Sequence, residues 1–216
     1  MRKAGVIWIG HSDYLNENAY RIQEDIYKHV KEIPLLDVRL DGIVASEDQA
    51  IAAVRGITRD RDCCAAVVVF ATWVECNVVM AAMKELRGLP CLFWGFPPEE
   101  VEGKIEGTGA YVSATMFAGV VKRLNLTYPT IYTSWKQEET LRQIKCFART
   151  ASAIDQLFYT KIGLFGYTSM SIYTGTFDHV LLRYQIGPEV EQMDTYSLIR
   201  AAEGVSEEEL KIAEDM

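Results

Sequence analysis

The chain has no cluster of basic residues, and its acidic residues outnumber its basic ones. Its 216 residues include 30 Asp and Glu against 22 Lys and Arg, which gives a formal net charge of −8. Nucleic acids are bound largely through clusters of Lys and Arg that neutralise phosphates. The composition therefore argues against a nucleic-acid partner. We interpret the acidic stretch at 207–209 as the solvated face of a helix.

Long apolar runs are also missing. The apolar run near the start of the sequence stops at Gly10. It is too short for a signal peptide's apolar region with a cleavage site, and far too short to cross a bilayer. We therefore expect a cytoplasmic protein that has no membrane partner.

Cysteine is sparse: the chain has five, which is an odd number, and no C-x-x-C pair. This pattern favours reduced thiols buried as core residues over a disulfide framework. The residues concerned are Cys63, Cys64, Cys76, Cys91 and Cys146.

Hydrophobic residues are plentiful at 49% of the chain, and their arrangement indicates the fold class. Apolar segments of strand length alternate with segments of helical periodicity, which predicts βα units around a mainly parallel sheet. We predict a flavodoxin- or Rossmann-like α/β domain at 1–160, followed at 161–216 by the first βα units of a second α/β domain. Because two such units bury too little surface to be independently stable, we expect this second domain to be incomplete.

Individual elements follow from periodicity and capping residues. The predicted strands are 5–10, 36–40, 65–71, 90–95, 130–132, 161–166 and 189–193. The first predicted helix is capped by Asn16 and has an inward stripe of Ala19, Ile22, Ile26, Val30 and Ile33. The other predicted helices are one opened by the Ser46 and Gln49 capping pattern, 76–86, 112–124, 137–159, 177–184 and one from Tyr196 onward. The segment 96–109, rich in Pro, Gly and acidic residues, is predicted to be a surface loop.

Loops rich in polar and aromatic side chains follow four of the predicted strands, at the sheet edge where parallel sheets bind ligands. The residues are His11, Ser12, Asp13 and Tyr14; Thr72, Trp73, Glu75 and Asn77; Trp94 and Phe96; and 167–171. Indoles beside hydroxyl, amide and carboxylate groups suit a sugar or polyol, whose C–H face stacks on a ring while polar groups bind hydroxyls. The alternative is that these residues serve only loop solubility and capping.

Other kinds of site find less support in the sequence. The chain contains no G-x-G-x-x-G or G-x-S-x-G motif, which argues against a dinucleotide site and a nucleophile elbow. Its three histidines, His11, His29 and His179, form no recognised metal-ligand spacing. We therefore predict neither a metal site nor a catalytic residue within this chain.

In the last fifty residues, a small-residue turn, a strand and a helix start follow one another in the segments 166–172, 178–179, 186–191 and 193–195. These segments resemble the L-fucose/L-arabinose isomerase family. Ser171 replaces the family's glycine, and Ser197 replaces its usual glutamate. Weaker similarity extends to 70–73, where family members place a Trp, and to 107–124.

The resemblance implies a role in carbohydrate metabolism. Family enzymes interconvert aldoses and ketoses with a divalent ion, usually manganese, held by a Glu, an Asp and a His. No position here matches those ligands, so the resemblance implies no cofactor in this chain and manganese only in the complete enzyme. It also implies a homo-oligomer in which first-domain loops reach a neighbouring active site, with Trp73, Ser12 and Asp13 as substrate contacts. The alternative for the chain is a non-catalytic sugar-binding or regulatory module. The alternative for Trp73 is that its indole simply packs under its own loop.

Overall fold

The computed structural model describes residues 1–86, 88–101, 103–166, 172 and 176–214. The chain divides into two compact units, Met1–Ala153 and Ile154–Met216. The division falls within a long helix, a few residues before the predicted domain boundary at 160.

The first unit is built on a five-stranded parallel sheet with helices between its strands. The strands of that sheet are β1 (Lys3–Ile9), β2 (Leu36–Asp37), β3 (Cys63–Phe70), β4 (Cys91–Trp94) and β7 (Thr130–Ile131). Two further strands, β5 (Glu99–Val101) and β6 (Lys104–Glu106), pair with each other. The helices of the unit are α1 (Glu17–Val30), α2 (Glu47–Arg59), α3 (Cys76–Leu86), α4 (Ala110–Arg123) and α5 (Glu138–Tyr159), the last of which crosses the division between the units. The sheet order β2-β1-β3-β4-β7 confirms the predicted flavodoxin- or Rossmann-like α/β fold.

The core of this unit sits on both faces of β3. All eight residues of β3 are buried, as expected for a central parallel strand with helices on both sides. The predicted inward stripe of α1, with Ala19, Ile22, Ile26 and Val30, is buried as well. Its cap is also confirmed, because the Asn16 side chain accepts a hydrogen bond from the Ala19 amide at 3.0 Å.

The capping pattern that opens α2 differs from the expected one in one bond. The Ser46 hydroxyl accepts from the Gln49 amide at 3.3 Å, as predicted. The Gln49 side chain, however, accepts from the Ala45 amide at 2.8 Å rather than from the amide of the cap itself. The helix start is thus closed one residue earlier than in the standard capping box.

Two segments depart from the prediction. The second strand is short, because the chain leaves β1 after Asp37 and only Val44 returns, pairing with Ile9. The segment predicted as a loop at 96–109 contains an antiparallel hairpin, β5 and β6, which reverses near Gly103 at a φ of +76°. None of its strand residues is fully buried and only Val101 and Ile105 are apolar, so it shows no alternating apolar pattern from which a strand could be predicted.

The described part of the second unit contains a parallel pair of strands and three short helices. They are β8 (Lys161–Phe165), β9 (Glu189–Met193), α6 (His179–Gln185), α7 (Thr195–Glu203) and α8 (Glu207–Glu214). We predicted one helix from Tyr196 onward, but the chain breaks between α7 and α8 around Gly204. There the side chain of Ser206 and that of Glu209 form a second capping pair.

Little of this second unit is buried. Among its described residues, only Gly187 and Pro188 are buried, whereas Tyr184 is 87% and Val180 78% exposed. Burial of apolar surface is the main favourable term in folding, so the described part of this unit gains little stability from a core.

All five cysteines are free thiols. Cys63, Cys64 and Cys91 are buried and Cys76 is partly buried, but Cys146 is exposed, so its predicted burial was wrong. It lies on the opposite side of α5 from the buried Ile144 and Ala148. Burial raises the pKa of Cys63 to about 11 and that of Cys91 to about 12, so both stay protonated at neutral pH.

No helix in the described part of the chain combines the length and the apolar character that crossing a bilayer requires.

Packing at the end of β4 gives a stability prediction. A Cβ added at Gly95 would lie 2.5 Å from the Cβ of Ala114 and 2.7 Å from the carbonyl oxygen of Ala110, so α4 would have to move. We expect Gly95→Ala to lower the free energy of unfolding by about 1–3 kcal/mol or more. Gly119→Ala, in α4 with open space around it, should instead raise that energy by about 0.5–1 kcal/mol. Urea unfolding measures both, and equal effects of the two changes would contradict the packing.

Candidate ligand site at the edge of the sheet

The strand order changes direction between β1 and β3, and the loops that follow these strands meet there. β2 lies on one side of β1 and β3 on the other, which creates the crevice where sheets of this type bind ligands. The two loops are joined directly, because the His11 amide donates to the Thr72 hydroxyl at 2.9 Å. The structure thus brings together the loops predicted after the first and the third strand.

His11 and Glu75 form an ionisable pair at this crevice. The His11 Nδ1 accepts a hydrogen bond from the Asp13 amide at 3.1 Å, so its proton belongs on Nε2. That Nε2 lies 3.2 Å from a carboxylate oxygen of Glu75. The His11 side chain is 20% exposed and that of Glu75 48%, so a ligand can reach both.

Three rings surround the same point. The centroids of His11 and Trp73 are 5.4 Å apart, and Tyr14 lies 5.6 Å from each of them. Tyr14 is 48% exposed, so the cluster is an open platform rather than a closed core. We call His11, Tyr14, Trp73 and Glu75 the ring cluster.

A cup opens beside Trp73. It encloses ≈ 290 Å³ and is lined by Tyr14, Asn16, Asn18, Trp73 and 107–109. Thr108 is one of the lining residues, and its hydroxyl is buried and has no hydrogen-bond partner within the described part of the chain. Buried hydroxyls are normally paired, so Thr108 is an exception, but its oxygen is too little exposed to meet a ligand directly.

The wall of the cup requires a glycine. The Trp73 amide donates to the Thr108 carbonyl at 2.7 Å, which brings the two segments together. Gly109 has a φ of +82°, and a Cβ there would lie 2.7 Å from the Cβ of Trp73. Both the backbone conformation and the close approach exclude other residues.

The Trp73 loop is held from below by α4. The buried Ser113 hydroxyl accepts from the Val74 amide at 2.8 Å and donates to the Val74 carbonyl at 3.4 Å. A single side chain thereby satisfies two backbone groups of the loop. The loop is therefore pre-positioned without a ligand.

The predicted contacts Ser12 and Asp13 lie in a short 3-10 turn between His11 and Tyr14, and both are exposed. The Ser12 hydroxyl donates to an Asp13 carboxylate oxygen at 3.3 Å. Trp73 lies in the ring cluster itself. The three predicted residues thus occupy the same edge of the sheet, Trp73 in the cluster and the other two on its solvent side.

Other predicted edge residues are elsewhere. Trp94 is buried and donates to the Thr133 carbonyl at 3.0 Å, and Phe96 is buried against Trp135, so neither presents a ring to the crevice. Asn77 donates to Glu47 at 2.9 Å. The predicted loop at 167–171 lies outside the described residues.

The sequence did not single out three features of the site. The pairing of His11 with Glu75 and the stacking of Tyr14 could have been inferred from two loops at a change of strand direction. The unpaired hydroxyl of Thr108 carried no signal, because the local sequence does not indicate which hydroxyl will be buried.

No protein-family model matches the sequence, and no curated protein matches it. The inferences about function therefore rest on the residues and their geometry.

A hydroxyl deletion tests the bond between the two loops. Thr72 is fully buried, and Thr72→Val keeps its shape while leaving the His11 amide without an acceptor. We expect a loss of about 1–3 kcal/mol in unfolding free energy. The control is Thr115→Val, because the exposed Thr115 hydroxyl bonds only a carbonyl of its own helix. That change should stay within about 0.5 kcal/mol. Equal stability of the two variants would show that the bond does not hold the loops.

Proposed function

We propose that this chain is the amino-terminal part of an aldose-ketose isomerase of the L-fucose/L-arabinose isomerase type, acting in carbohydrate metabolism. Its role is to supply sugar-contacting loops and oligomer contacts, in the cytoplasm. The observation that carries the proposal is the ring cluster beside a cup of ≈ 290 Å³, at the point where the strand order changes direction.

The chemistry of these groups matches a sugar better than a charged or wholly apolar ligand. The rings of Trp73 and Tyr14 offer faces on which C–H groups stack. The Glu75 carboxylate faces the His11 Nε2 at 3.2 Å and has lone pairs left to accept hydrogen bonds from ligand hydroxyls. A polyhydroxylated ring satisfies both requirements at once, and a cup of ≈ 290 Å³ suits a small ligand.

The proposed role of this chain does not include holding the manganese ion of the family. In the family the ion polarises the carbonyl and hydroxyl oxygens while a carboxylate moves the proton. In the described part of the chain, one group of three or more potential ligands lies close enough to share a cation, namely Asp37, Asp60 and Cys63. It contains a thiol and no histidine, so it does not fit the Glu, Asp and His set. The role of the ring cluster is thus to hold and orient the sugar.

A non-catalytic sugar-binding module is the second candidate. It is favoured by the pre-positioned Trp73 loop, which Ser113 holds in place without any further chain. Both candidates require sugar binding at the ring cluster, and they differ in whether isomerisation accompanies it.

Ring removal tests sugar binding. Trp73→Ala and Tyr14→Ala should each weaken binding of L-fucose, L-arabinose or L-fucitol about fivefold or more, because an aromatic contact contributes about 1 kcal/mol. Tyr111→Ala is the matched control, since Tyr111 is similarly exposed at 43% but pairs with Tyr132 outside the cluster. Calorimetric titration measures the affinities. Unchanged binding in the Trp73 and Tyr14 variants, or equal loss in the control, would refute the assignment.

Isomerisation separates the two candidates. With added manganese, we expect the isolated chain to convert none of these aldoses to ketose, and a longer native form or its oligomer to do so. In that active form, Trp73→Ala should reduce turnover. Retained sugar binding with no conversion in any native form would favour the non-catalytic module.

A further inference from the structure

A second cavity lies at the opposite side of β1, where the second strand leaves the sheet. It encloses ≈ 660 Å³. One wall is the stretch 5–8 of β1, and the other is the part of α2 that carries Ala52, Ala53 and Gly56. Small side chains on α2 leave this space open. Six ionisable groups border it, and they are Tyr20, Asp37, Arg39, Asp41, Asp60 and Cys63.

Three of these groups converge from different elements. Asp37 ends β2, Asp60 caps the carboxyl end of α2, and Cys63 begins β3. One ligand atom of each lies within 4.8 Å of the other two. This spacing allows all three atoms to contact a single ion with small side-chain adjustments.

The thiol is the unusual member of the group. Cys63 is only 4% exposed, and no hydrogen bond to its Sγ is found in the described ranges. A thiol is only a weak hydrogen-bond donor, so Cys63 gains little from two neighbouring carboxylates while it keeps its proton, whereas carboxylates attract cations strongly. Its position is understandable if the three side chains share a cation.

Arg39 currently balances the two carboxylates. Its guanidinium lies 2.7 Å from an oxygen of Asp37 and 3.7 Å from one of Asp60. The Arg39 side chain is 60% exposed, so it can move into water at little cost. The Arg39 backbone is held separately, because its carbonyl accepts from the Trp8 indole at 2.8 Å. A metal ion can therefore replace the guanidinium without unfolding the loop.

We propose that Asp37, Asp60 and Cys63 bind a thiophilic divalent cation such as Zn²⁺ or Cd²⁺. The S–H bond of Cys63 breaks and its proton passes to solvent, a bond forms from sulfur to the metal, and the Arg39 guanidinium moves into water. No electron is transferred. Water from the cavity completes the coordination. A thiolate ligand selects these metals over Mg²⁺ and Mn²⁺, which prefer oxygen ligands only. This site is separate from the ring cluster and independent of the proposed sugar binding.

Cadmium titration of the full chain tests the site. The sulfur-to-cadmium charge-transfer absorption reports thiolate coordination, and a Cys146→Ser background removes the exposed thiol. We expect one Cd²⁺ per chain with this absorption. Cys63→Ser should abolish it, whereas Cys91→Ser, a change at an equally buried thiol, should leave it intact. Persistence of the signal in Cys63→Ser would overturn the proposal.

Two further variants keep the test decisive if Cys63→Ser does not fold. Asp60→Asn should weaken Cd²⁺ binding by about 100-fold, since even the loss of a residue that only supports a ligand costs about 10- to 100-fold. Arg39→Gln should tighten binding, because the competing cation is gone. Far-ultraviolet circular dichroism without metal confirms folding. Equal Cd²⁺ affinity in the unmodified chain, Asp60→Asn and Arg39→Gln would refute the site. Displacement of Cd²⁺ by Mg²⁺ in slight excess would refute it as well.

Discussion

The parallel pairing of β1 with β3 is the constraint on which both sites depend. The two strands run in register from Ala4 opposite Ala65 to Ile9 opposite Phe70, so they end at the same level. The residues that follow are then placed side by side, and the His11 amide meets the Thr72 hydroxyl. Because β3 is buried along its whole length, a shift in this register would expose part of the core. The geometry of the ring cluster is thus fixed by hydrophobic burial far from it.

The same pairing accounts for the second cavity. At the start of β1 the pairing with β3 is irregular, between Lys3 and Ala4, and Cys63 sits beside this irregularity. On its other edge, within the described residues, β1 pairs with Leu36 and Asp37 and then again with Val44. The chain between them departs from the sheet and carries Arg39 with it. Because β1 pairs along its whole length with β3 but only in part with β2, there is room beside it for a polar group within an otherwise apolar layer.

The sequence predicted the elements better than the contacts between them. The stripe of α1, the cap at Asn16 and the buried run of β3 are local patterns, and each was confirmed. The hairpin at 99–106 was missed because exposed strands carry no apolar alternation. Cys146 was misplaced because one residue between two buried positions of a helix faces the other way.

For the candidate site, the sequence located the edge but not the arrangement. Trp73, Ser12 and Asp13 were predicted from loop position, yet their partners depend on strand order. Trp94 was predicted on the same ground of loop position. It is nevertheless buried, and its indole donates to the Thr133 carbonyl inside the unit. An aromatic residue near a strand end is equally suited to a ligand platform or to a core. Which role it takes depends on whether a later segment covers it, as the stretch before α5 covers Trp94 and no described segment covers Tyr14. Long-range packing therefore determines which of the sequence's aromatic residues can meet a sugar.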